Sequence, residues 1–599
     1  MNKPNIIFIL TDDQGYGEIG AHGNPYIQTP NLDILHSESV RFTNFHVGTT
    51  CAPTRSGLLT GHNCNSTGVW HTIGGRSLLR EDEWTLADAL KEAGYCTGHF
   101  GKWHLGDASP FLPHERGFDI SVYHGGGGIG NTPDYWGNDY FDDTYFVNGK
   151  PVKFEGFCAD VFFAEGIKFI EDHTRSTGSG EQDAPFFCYI ASNTPHSPWN
   201  VEERYWKPYA ESAPSENRAR FYGTVTNIDE NVGKLRAKLD ELGLAENTIF
   251  IFMTDNGSGG GVTPDSEGFV EEGPCNYNAG MRGTKCWEYE GGHRVPFFLH
   301  WPALGASTGH DVNELTSYID FMPTMLDLCG IEVPKGRSFH GQSLKPLIGG
   351  DMGPEWSERT LVTDTQRIAR PLKWRKSCVM RGDWRLINGK ELYDLAVDPG
   401  QKNDISSNHP DVVADLREAY RNWWDLVSEQ FDRDIPFHIG ADDTEVVLTT
   451  HDVRNEAMDC AWNQIHVRRG TVCNGYWEVD ARVAGRYSFE LRRWPREAGY
   501  ALVDGIDGDD VDQRRDCYAE RGKDRYSGGE ALPIQWARLQ IGGQTFHAEV
   551  APGDTHATFE VDLPEGIAHI FPSFHCDNPD NLAPYYIYVR RVAATGSET

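Results

Sequence analysis

Two pairs of oxygen-bearing residues stand far apart in the sequence in the same local setting. Asp12-Asp13 and Asp255-Asn256 each follow a run of apolar residues directly. Carboxylate and amide oxygens are hard ligands that suit Ca²⁺ or Mg²⁺ and not a soft metal ion. Each pair alone could equally be a turn at the end of a strand. Together, the two pairs indicate a site for a hard divalent cation.

A second set of residues could supply a nucleophile, positive charge and proton transfer. Cysteine begins the segment CAPTRSGLLTG, and lysine and histidine recur in GKWHLG, PHSP and RGTKCWEYEGGHRVP. The candidate residues are Cys51, Arg55, Lys102, His104, His196 and Lys285. Taken singly, a cysteine can open a buried helix, and a lone histidine is more often structural than catalytic. If the fold brings the cations among them together with the metal ion, they would form a positively charged pocket that focuses an anionic group.

The elements that must position these residues are those of an α/β sheet with helices on both faces. The predicted buried strands are residues 5–10, 95–100, 184–190 and 248–253, and the predicted helices are residues 84–93 and 225–242. The candidate polar residues fall just after the strand ends. In open α/β sheets, ligands bind at that edge.

With 599 residues, the chain is too long for one hydrophobic core. We predict an α/β catalytic domain over residues 1–360 and a subdomain over 361–436, with a small antiparallel sheet and a helix. Residues 437–599 show short strands and no convincing helix, which predicts an appended β-sandwich. The strands predicted there are residues 445–449, 464–468, 476–481, 487–491, 536–541, 556–561 and 585–592.

The cysteine, lysine and histidine motifs, in the order in which they occur along the chain, resemble those of the type I (formylglycine-dependent) sulfatases. The signature of that family is Cys-x-Pro-x-Arg followed by a Leu-Thr-Gly-like ending. The resemblance is to arylsulfatase-like members, of the kind that bacteria use on polysaccharides, and it covers residues 3–430. It implies an alkaline-phosphatase-like fold with a mixed, mostly parallel sheet and a small antiparallel C-terminal subdomain. The β-sandwich is additional to that fold.

The resemblance implies that a maturation enzyme oxidises Cys51 to formylglycine. The hydrate of this aldehyde has two hydroxyls, one to attack sulfur and one to expel sulfate afterwards. Arg55 would hold residue 51 and a metal-bound aspartate in place. One Ca²⁺, with Mg²⁺ as the alternative, would bind the side chain at position 51 and the oxygens of Asp12, Asp13, Asp255 and Asn256.

The same resemblance gives the remaining cations their roles. Lys102 and Lys285 would bind the sulfate. His104 would take the proton that triggers sulfate release, and His196 would protonate the leaving oxygen.

The substrate expected from this resemblance is a sulfated oligo- or polysaccharide. An aromatic, Gly-rich loop over 123–136 and a basic cluster over 367–375 could contact sugars, although loop packing and surface salt bridges are the commoner explanation for such residues. The candidate substrate-binding residues are His293, Arg294, Arg367 and Arg370. The β-sandwich could bind carbohydrate or form a wall of the cleft.

Two alternatives stay open at this point. Phosphatases and phosphonate monoester hydrolases of the same superfamily also use a modified cysteine in some cases, although GKWHLG and EGGHRVP favour a sulfatase. A non-catalytic carbohydrate-binding homologue is the other alternative. Every expected catalytic position holds a competent residue, which argues against it.

Composition limits the partners and the compartment. The 54 Lys and Arg against 88 Asp and Glu give a net charge of −34, which disfavours nucleic acid. No apolar run is long enough for a membrane span or a signal-peptide core. We expect a periplasmic or secreted protein if a leader was removed, a cytoplasmic one otherwise, and a monomer or small homo-oligomer. In an oxidising compartment Cys460 could pair with Cys473, and Cys517 with Cys576.

Overall fold

The computed structural model describes residues 3–592, apart from six internal segments. These segments are residues 178–183, 261–276, 351–352, 442–443, 509–527 and 577–580. The suggested Cys517–Cys576 pair lies outside the described residues, because position 517 falls in one of the segments. Cys460 and Cys473 are both free thiols, so the other suggested disulfide is not formed.

A large mixed sheet forms the centre of the N-terminal region, with a small sheet of three strands beside it. The strands are β1 Asn5–Thr11, β2 Val40–Phe42, β3 Phe45–His46, β4 Cys96–Lys102, β5 Ile120–His124, β6 Thr144–Val147, β7 Lys150–Lys153, β8 Phe186–Ala191, β9 Thr248–Thr254, β10 Arg294–Val295, β11 Phe297–His300, β12 His310–Val312 and β13 Thr316–Ser317. The large sheet has the order β12-β2-β11-β9-β1-β8-β4-β5-β6-β7. Strands β9, β1, β8, β4 and β5 run parallel, and antiparallel pairings flank them. The predicted mixed, mostly parallel sheet is confirmed.

Helices cover both faces of this sheet. They are α1 Pro30–Glu38, α2 Cys51–Thr60, α3 Leu86–Glu92, α4 Cys158–Thr177, α5 Glu203–Trp206, α6 Glu216–Glu241, α7 Glu290–His293 and α8 Phe321–Leu328. Successive side chains of β1 point to opposite faces: Phe8 packs in the core that contains α3 and α8, and Ile9 in the core that contains α1, α4 and α6. Among the described residues, no helix has the length and apolar composition needed to cross a bilayer.

A second, antiparallel sheet follows the first. It consists of β14 Thr360–Asp364, β15 Ser377–Arg381, β16 Trp384–Ile387 and β17 Glu391–Asp394, with helices α9 Lys345–Ile348, α10 Pro354–Ser357 and α11 Pro410–Ser428 nearby in the chain. Leu416 and Tyr420 of α11 pack against Val379 and Leu386 of the sheet. A turn at Gly382 (φ 51°) separates β15 from β16.

The C-terminal region is a two-sheet sandwich, as predicted. Its elements are β18 Phe437–Ile439, β19 Val446–Thr449, α12 Gln464–Arg469, β20 Trp477–Ala481, β21 Gly485–Arg492, β22 Ile534–Ile541, β23 Gln544–Glu549, β24 Ala557–Leu563, β25 Gly566–Cys576 and β26 Tyr586–Arg591. One sheet has the order β18-β20-β25-β22-β23 and the other β19-β26-β21-β24. Both contribute to one hydrophobic core, which also includes Leu78 and Phe111 of the N-terminal region.

The strand predicted at 464–468 is wrong, because these residues form helix α12. The side chain of Asn463 accepts a hydrogen bond from the Ile465 N–H at 3.0 Å, and Gly470 ends the helix at φ 64°. Ile465 and Val467 alternate with polar residues, and the segment is too short to distinguish a helical period from that alternation.

Helix α12 ties the C-terminal region to the Gly-rich loop of residues 125–137. The Gln464 side-chain amide donates to the carbonyl oxygens of Asn131, Asp134 and Tyr135 at 3.2, 3.3 and 3.1 Å. Beside it, the Trp136 ring lies edge-on to Trp494, with 5.4 Å between ring centroids. The sandwich is thus packed against the catalytic region. The exact boundaries after residues 360 and 436 stay predictions.

We predict that Gln464→Ala lowers the free energy of unfolding by about 1–3 kcal/mol, because it leaves three carbonyl oxygens without their donor. The matched control is Gln544→Ala, an exposed glutamine of the same sandwich. Urea unfolding followed by tryptophan fluorescence measures both. Equal stability of the two variants would contradict the anchoring role of Gln464.

Candidate active site

Four adjacent parallel strands deliver the predicted site residues to one edge of the sheet. The strands are neighbours in the order β9, β1, β8 and β4. Asp255 and Asn256 follow β9, and Asp12 and Asp13 follow β1. His196 comes after β8, and His104 comes after β4. The strand ends are joined by backbone hydrogen bonds from Asp255 to Thr11 (3.0 Å) and from Asp12 to Thr194 (3.1 Å). Residues far apart in sequence thereby share one small volume.

The oxygen-bearing residues form a connected and buried cluster. The backbone N–H of Asp13, which has a φ of 68°, donates to Asp255 Oδ1 at 3.0 Å. The amide of Asn256 donates to Asp13 Oδ1 at 2.8 Å. One oxygen of Asp12 and the side-chain oxygen of Asn256 are buried without a hydrogen-bond partner, and Cys51 could share a metal ion with Asp12 and Asp13. Buried oxygens that lack donors suit a hard cation, so these residues fit one divalent ion.

Two lysines balance part of this negative charge. Lys102 Nζ lies 2.7 Å from Asp12 Oδ2, and both side chains are fully buried. Lys285 Nζ lies 2.7 Å from Asp13 Oδ1. Burial alone would raise the pKa of Asp13, but Lys285 and His196 hold it well below its usual range. These two ammonium groups would meet an anion that enters the site.

Arg55 links the helix that carries Cys51 to the oxygen cluster. Cys51 is the first residue of α2, and Arg55 follows one turn later. The guanidinium donates to Asp255 Oδ2 from Nη2 (2.9 Å) and Nε (3.2 Å), and to the Lys102 carbonyl from Nη1 (2.9 Å). Burial raises the pKa of the Cys51 thiol to about 12, so the thiol is protonated at neutral pH.

The two histidines have different hydrogen-bonding states. His104 Nε2 lies 3.0 Å from the Thr72 carbonyl, which can only accept, so Nε2 carries the hydrogen. Its Nδ1 is then a buried lone pair without a partner. His196 Nε2 lies 3.6 Å from Asp13 Oδ2. Burial lowers the pKa of His196 to about 4 against the opposing effect of Asp13. Of the two histidines, His104 can accept a proton at a defined atom, its unpartnered Nδ1.

The four predicted substrate-binding residues lie in different surroundings. Arg367 is exposed, and its guanidinium contacts the sulfur of Cys286 at 3.0 Å, next to Lys285. Arg370 donates to the Phe431 carbonyl at 3.2 Å, in the 361–436 region. Arg367 thus contacts the residue next to Lys285, whose ammonium group pairs with Asp13 of the oxygen cluster.

His293 and Arg294 have contacts that differ from the prediction. His293 is completely buried, with its Nδ1 2.9 Å from Nδ1 of His46. Arg294 Nε donates to the Thr43 carbonyl at 2.7 Å. These contacts hold the segment before α2 against α7 and β10, which gives both residues a structural role. Their contact with substrate stays a prediction.

Sequence reasoning missed the residues that border His104. A Cβ on Gly127 would lie 2.4 Å from the His104 ring, so this position of the Gly-rich loop requires glycine for close approach. His451, from the sandwich, lies beside the same ring, with 6.2 Å between ring centroids. The only signal for His451 in the sequence was a His-Asp dipeptide, which is too common to single out.

Comparison with known proteins gives two family matches. Residues 4–331 match the model described as Sulfatase, and residues 283–423 match the model described as N-sulphoglucosamine sulphohydrolase, C-terminal. Both matches lie within the region that carries the site.

Individual proteins are similar over the same region. Arylsulfatase G of Mus musculus is 31% identical over 385 residues, which cover 58% of this chain and 69% of the relative. The Ulvan-active sulfatase of Formosa agariphila is 29% identical over 434 residues, covering 67% and 77%. The crystal structure of Ps i-CgsB in complex with k-i-k-neocarrahexaose has a TM-score of 0.61 at 24% identity and covers 72% of this chain and 98% of its own. This last likeness shows the fold.

Proposed function

This chain belongs to the sulfatase family and hydrolyses sulfate esters, and we propose that its substrates are sulfated oligo- or polysaccharides, processed with one Ca²⁺ and a formylglycine made from Cys51. The observation that carries the proposal is the convergence of Cys51, Arg55, two lysines and two histidines on one buried oxygen cluster. Sulfatases in general use a metal ion and formylglycine. The details below are specific to this chain.

Cys51 is the residue that we infer to be modified. It opens α2 with its side chain near Asp12 and Asp13, and Arg55 fixes the helix from the next turn. When present, formylglycine supplies a hydroxyl nucleophile and a second hydroxyl for the release of sulfate. A thiol lacks that second group.

The protein's own side chains bind the sulfate and move the protons. Lys102 and Lys285 each place an ammonium group 2.7 Å from the oxygen cluster, and together they neutralise the charge of a sulfate held there. His104 accepts a proton at its unpartnered Nδ1. His196, whose Nε2 lies 3.6 Å from Asp13 Oδ2, would donate a proton to the leaving oxygen from its protonated form.

Ca²⁺ is the metal ion that the donor set favours. We assign its ligands to the side chains of residue 51, Asp12, Asp13, Asp255 and Asn256, which offer hard oxygens and no imidazole. When bound, the ion supplies positive charge that polarises the sulfate.

Three features support a saccharide substrate. The Ulvan-active sulfatase and Ps i-CgsB with its neocarrahexaose are named for saccharides. In this chain, Arg367 is exposed beside Cys286, where it can meet a further anionic group of a sugar chain. The sandwich adds a wall through the loop of residues 125–137. Together these features favour a substrate larger than a small aryl ester.

We predict that active enzyme carries an aldehyde or its hydrate at position 51. Mass spectrometry of the tryptic peptide spanning residues 42–55 detects it. Cys51→Ala should lose activity by a factor on the order of 10⁴ or more, because no nucleophile remains. The control is Cys96→Ala, a partly exposed thiol. Full turnover by enzyme with an unmodified thiol would refute the assignment.

We predict that Ca²⁺ raises the melting temperature of protein freed of metal by chelation, because the ion binds only the folded state. It should also restore activity, and better than Mg²⁺. Asp255→Asn should abolish the rise, whereas Asp311→Asn, a partner of Arg41 at the surface, should keep it. An unchanged response of Asp255→Asn would show that the ion binds elsewhere.

We predict that kcat/KM is higher for a sulfated oligosaccharide than for an aryl sulfate, because remote sugar units add binding energy. Arg367→Ala should lower kcat/KM on the best glycan by about tenfold or more through loss of a charge-assisted hydrogen bond. Turnover of aryl sulfate should not change. Arg421→Ala, on the exposed face of α11, is the matched control. Preference for aryl sulfate over every glycan would count against the saccharide proposal.

A further inference from the structure

A histidine of the C-terminal sandwich lies beside His104, with 6.2 Å between the ring centroids. His451 lies in a single helical turn, Thr450–Asp452, directly after β19, and only 1% of it is exposed. Its carbonyl accepts a hydrogen bond from the Gly74 N–H at 2.8 Å. The same loop of the catalytic region supplies the Thr72 carbonyl that holds His104. One loop therefore holds both His451 and His104.

The hydrogen bonds of His451 leave one nitrogen without a partner. Its Nδ1 lies 3.2 Å from Asp452 Oδ1, and because a carboxylate accepts, Nδ1 carries a hydrogen. Its Nε2 is buried and has no hydrogen-bond partner among the described residues. A buried polar atom without a partner is costly. A bound ligand would remove that cost.

Charges around His451 favour its protonated form. An oxygen of Asp107 lies within 4.8 Å of both the imidazole and Asp452. Burial alone would lower the pKa of His451, but Asp452 and Asp107 raise it above its usual value, against an opposing effect of Lys102. His71 and His104 are the other titratable groups near the ring, and burial lowers the pKa of both. Of the three histidines, His451 is thus the one whose protonated form is favoured.

The unpartnered nitrogens of these two neighbouring rings have opposite chemistry. His104 Nδ1 is a lone pair that accepts from a hydroxyl, whereas protonated His451 presents an N–H at Nε2 that donates to an anionic oxygen. Such a donor–acceptor pair matches a sulfate group that is released from a hydroxyl-bearing residue. Resting on the function proposed above, we propose that His451 is a sulfate-binding residue supplied by the C-terminal sandwich, with its Nε2–H donating to a sulfate oxygen.

The experiment measures kcat/KM for an aryl sulfate and the inhibition constant of inorganic sulfate as functions of pH. A raised pKa means that the imidazolium is present at lower pH and is lost as the pH rises through that pKa. Wild-type enzyme should therefore bind sulfate more weakly on the basic side. His451→Gln should weaken sulfate binding by about tenfold to a hundredfold and remove this pH dependence. Asp452→Asn keeps the imidazole and should move the dependence to lower pH.

The matched control is His569→Gln. His569 also pairs with a carboxylate of the sandwich, Glu478 at 2.8 Å, but it is exposed. Identical sulfate inhibition in the His451 and His569 variants would overturn the proposal, and so would a loss confined to glycans. Because inorganic sulfate is the probe, the outcome does not depend on whether saccharides are the substrates. If His451→Gln fails to fold, Asp452→Asn decides the question alone.

Discussion

The active site depends on a salt bridge that water does not reach. Arg55 and Asp255 are almost completely buried, and their side chains meet at 2.9 Å. Removing one partner of such a pair typically costs about 3–5 kcal/mol, because the other charge stays buried alone. The bridge joins α2 to the end of β9, and so it fixes residue 51 relative to the oxygen cluster. The two lysines and two histidines of the site lie around residue 51 and the oxygen cluster, whose relative positions this bridge fixes.

The cations of the site also contrast with the acidic charge of the chain as a whole. The chain carries a net charge of −34, yet Arg55, Lys102 and Lys285 bring three cations to one sheet edge. Because these cations are buried or nearly so, salt screens them far less than it screens the acidic surface. The three cations neutralise Asp255, Asp12 and Asp13. A bound divalent ion would then leave this one point positive, so that it attracts an anionic substrate that the rest of the surface repels.

Local patterns predicted the parts of the fold that local interactions decide. The apolar run of β1 followed by Asp12-Asp13 identified a strand end, and sheet topology then brought Asp255 beside it. Other features depend on contacts between distant segments, which no local pattern contains. His293 lies in a recognisable motif, but its burial follows from the position of His46 in β3. Helix α12 and His451 are placed by the loop of residues 125–137 and by Gly74.

The burial of Cys51 has a consequence for the order of events in the cell. Only 2% of this residue is exposed, at the base of a site enclosed by four strand ends and α2. Another enzyme cannot reach a thiol in that position without unfolding the region around it. The proposed oxidation of Cys51 would therefore take place while the chain is still unfolded. Under that proposal, a chain that folds before the oxidation would keep a buried thiol in place of the nucleophile.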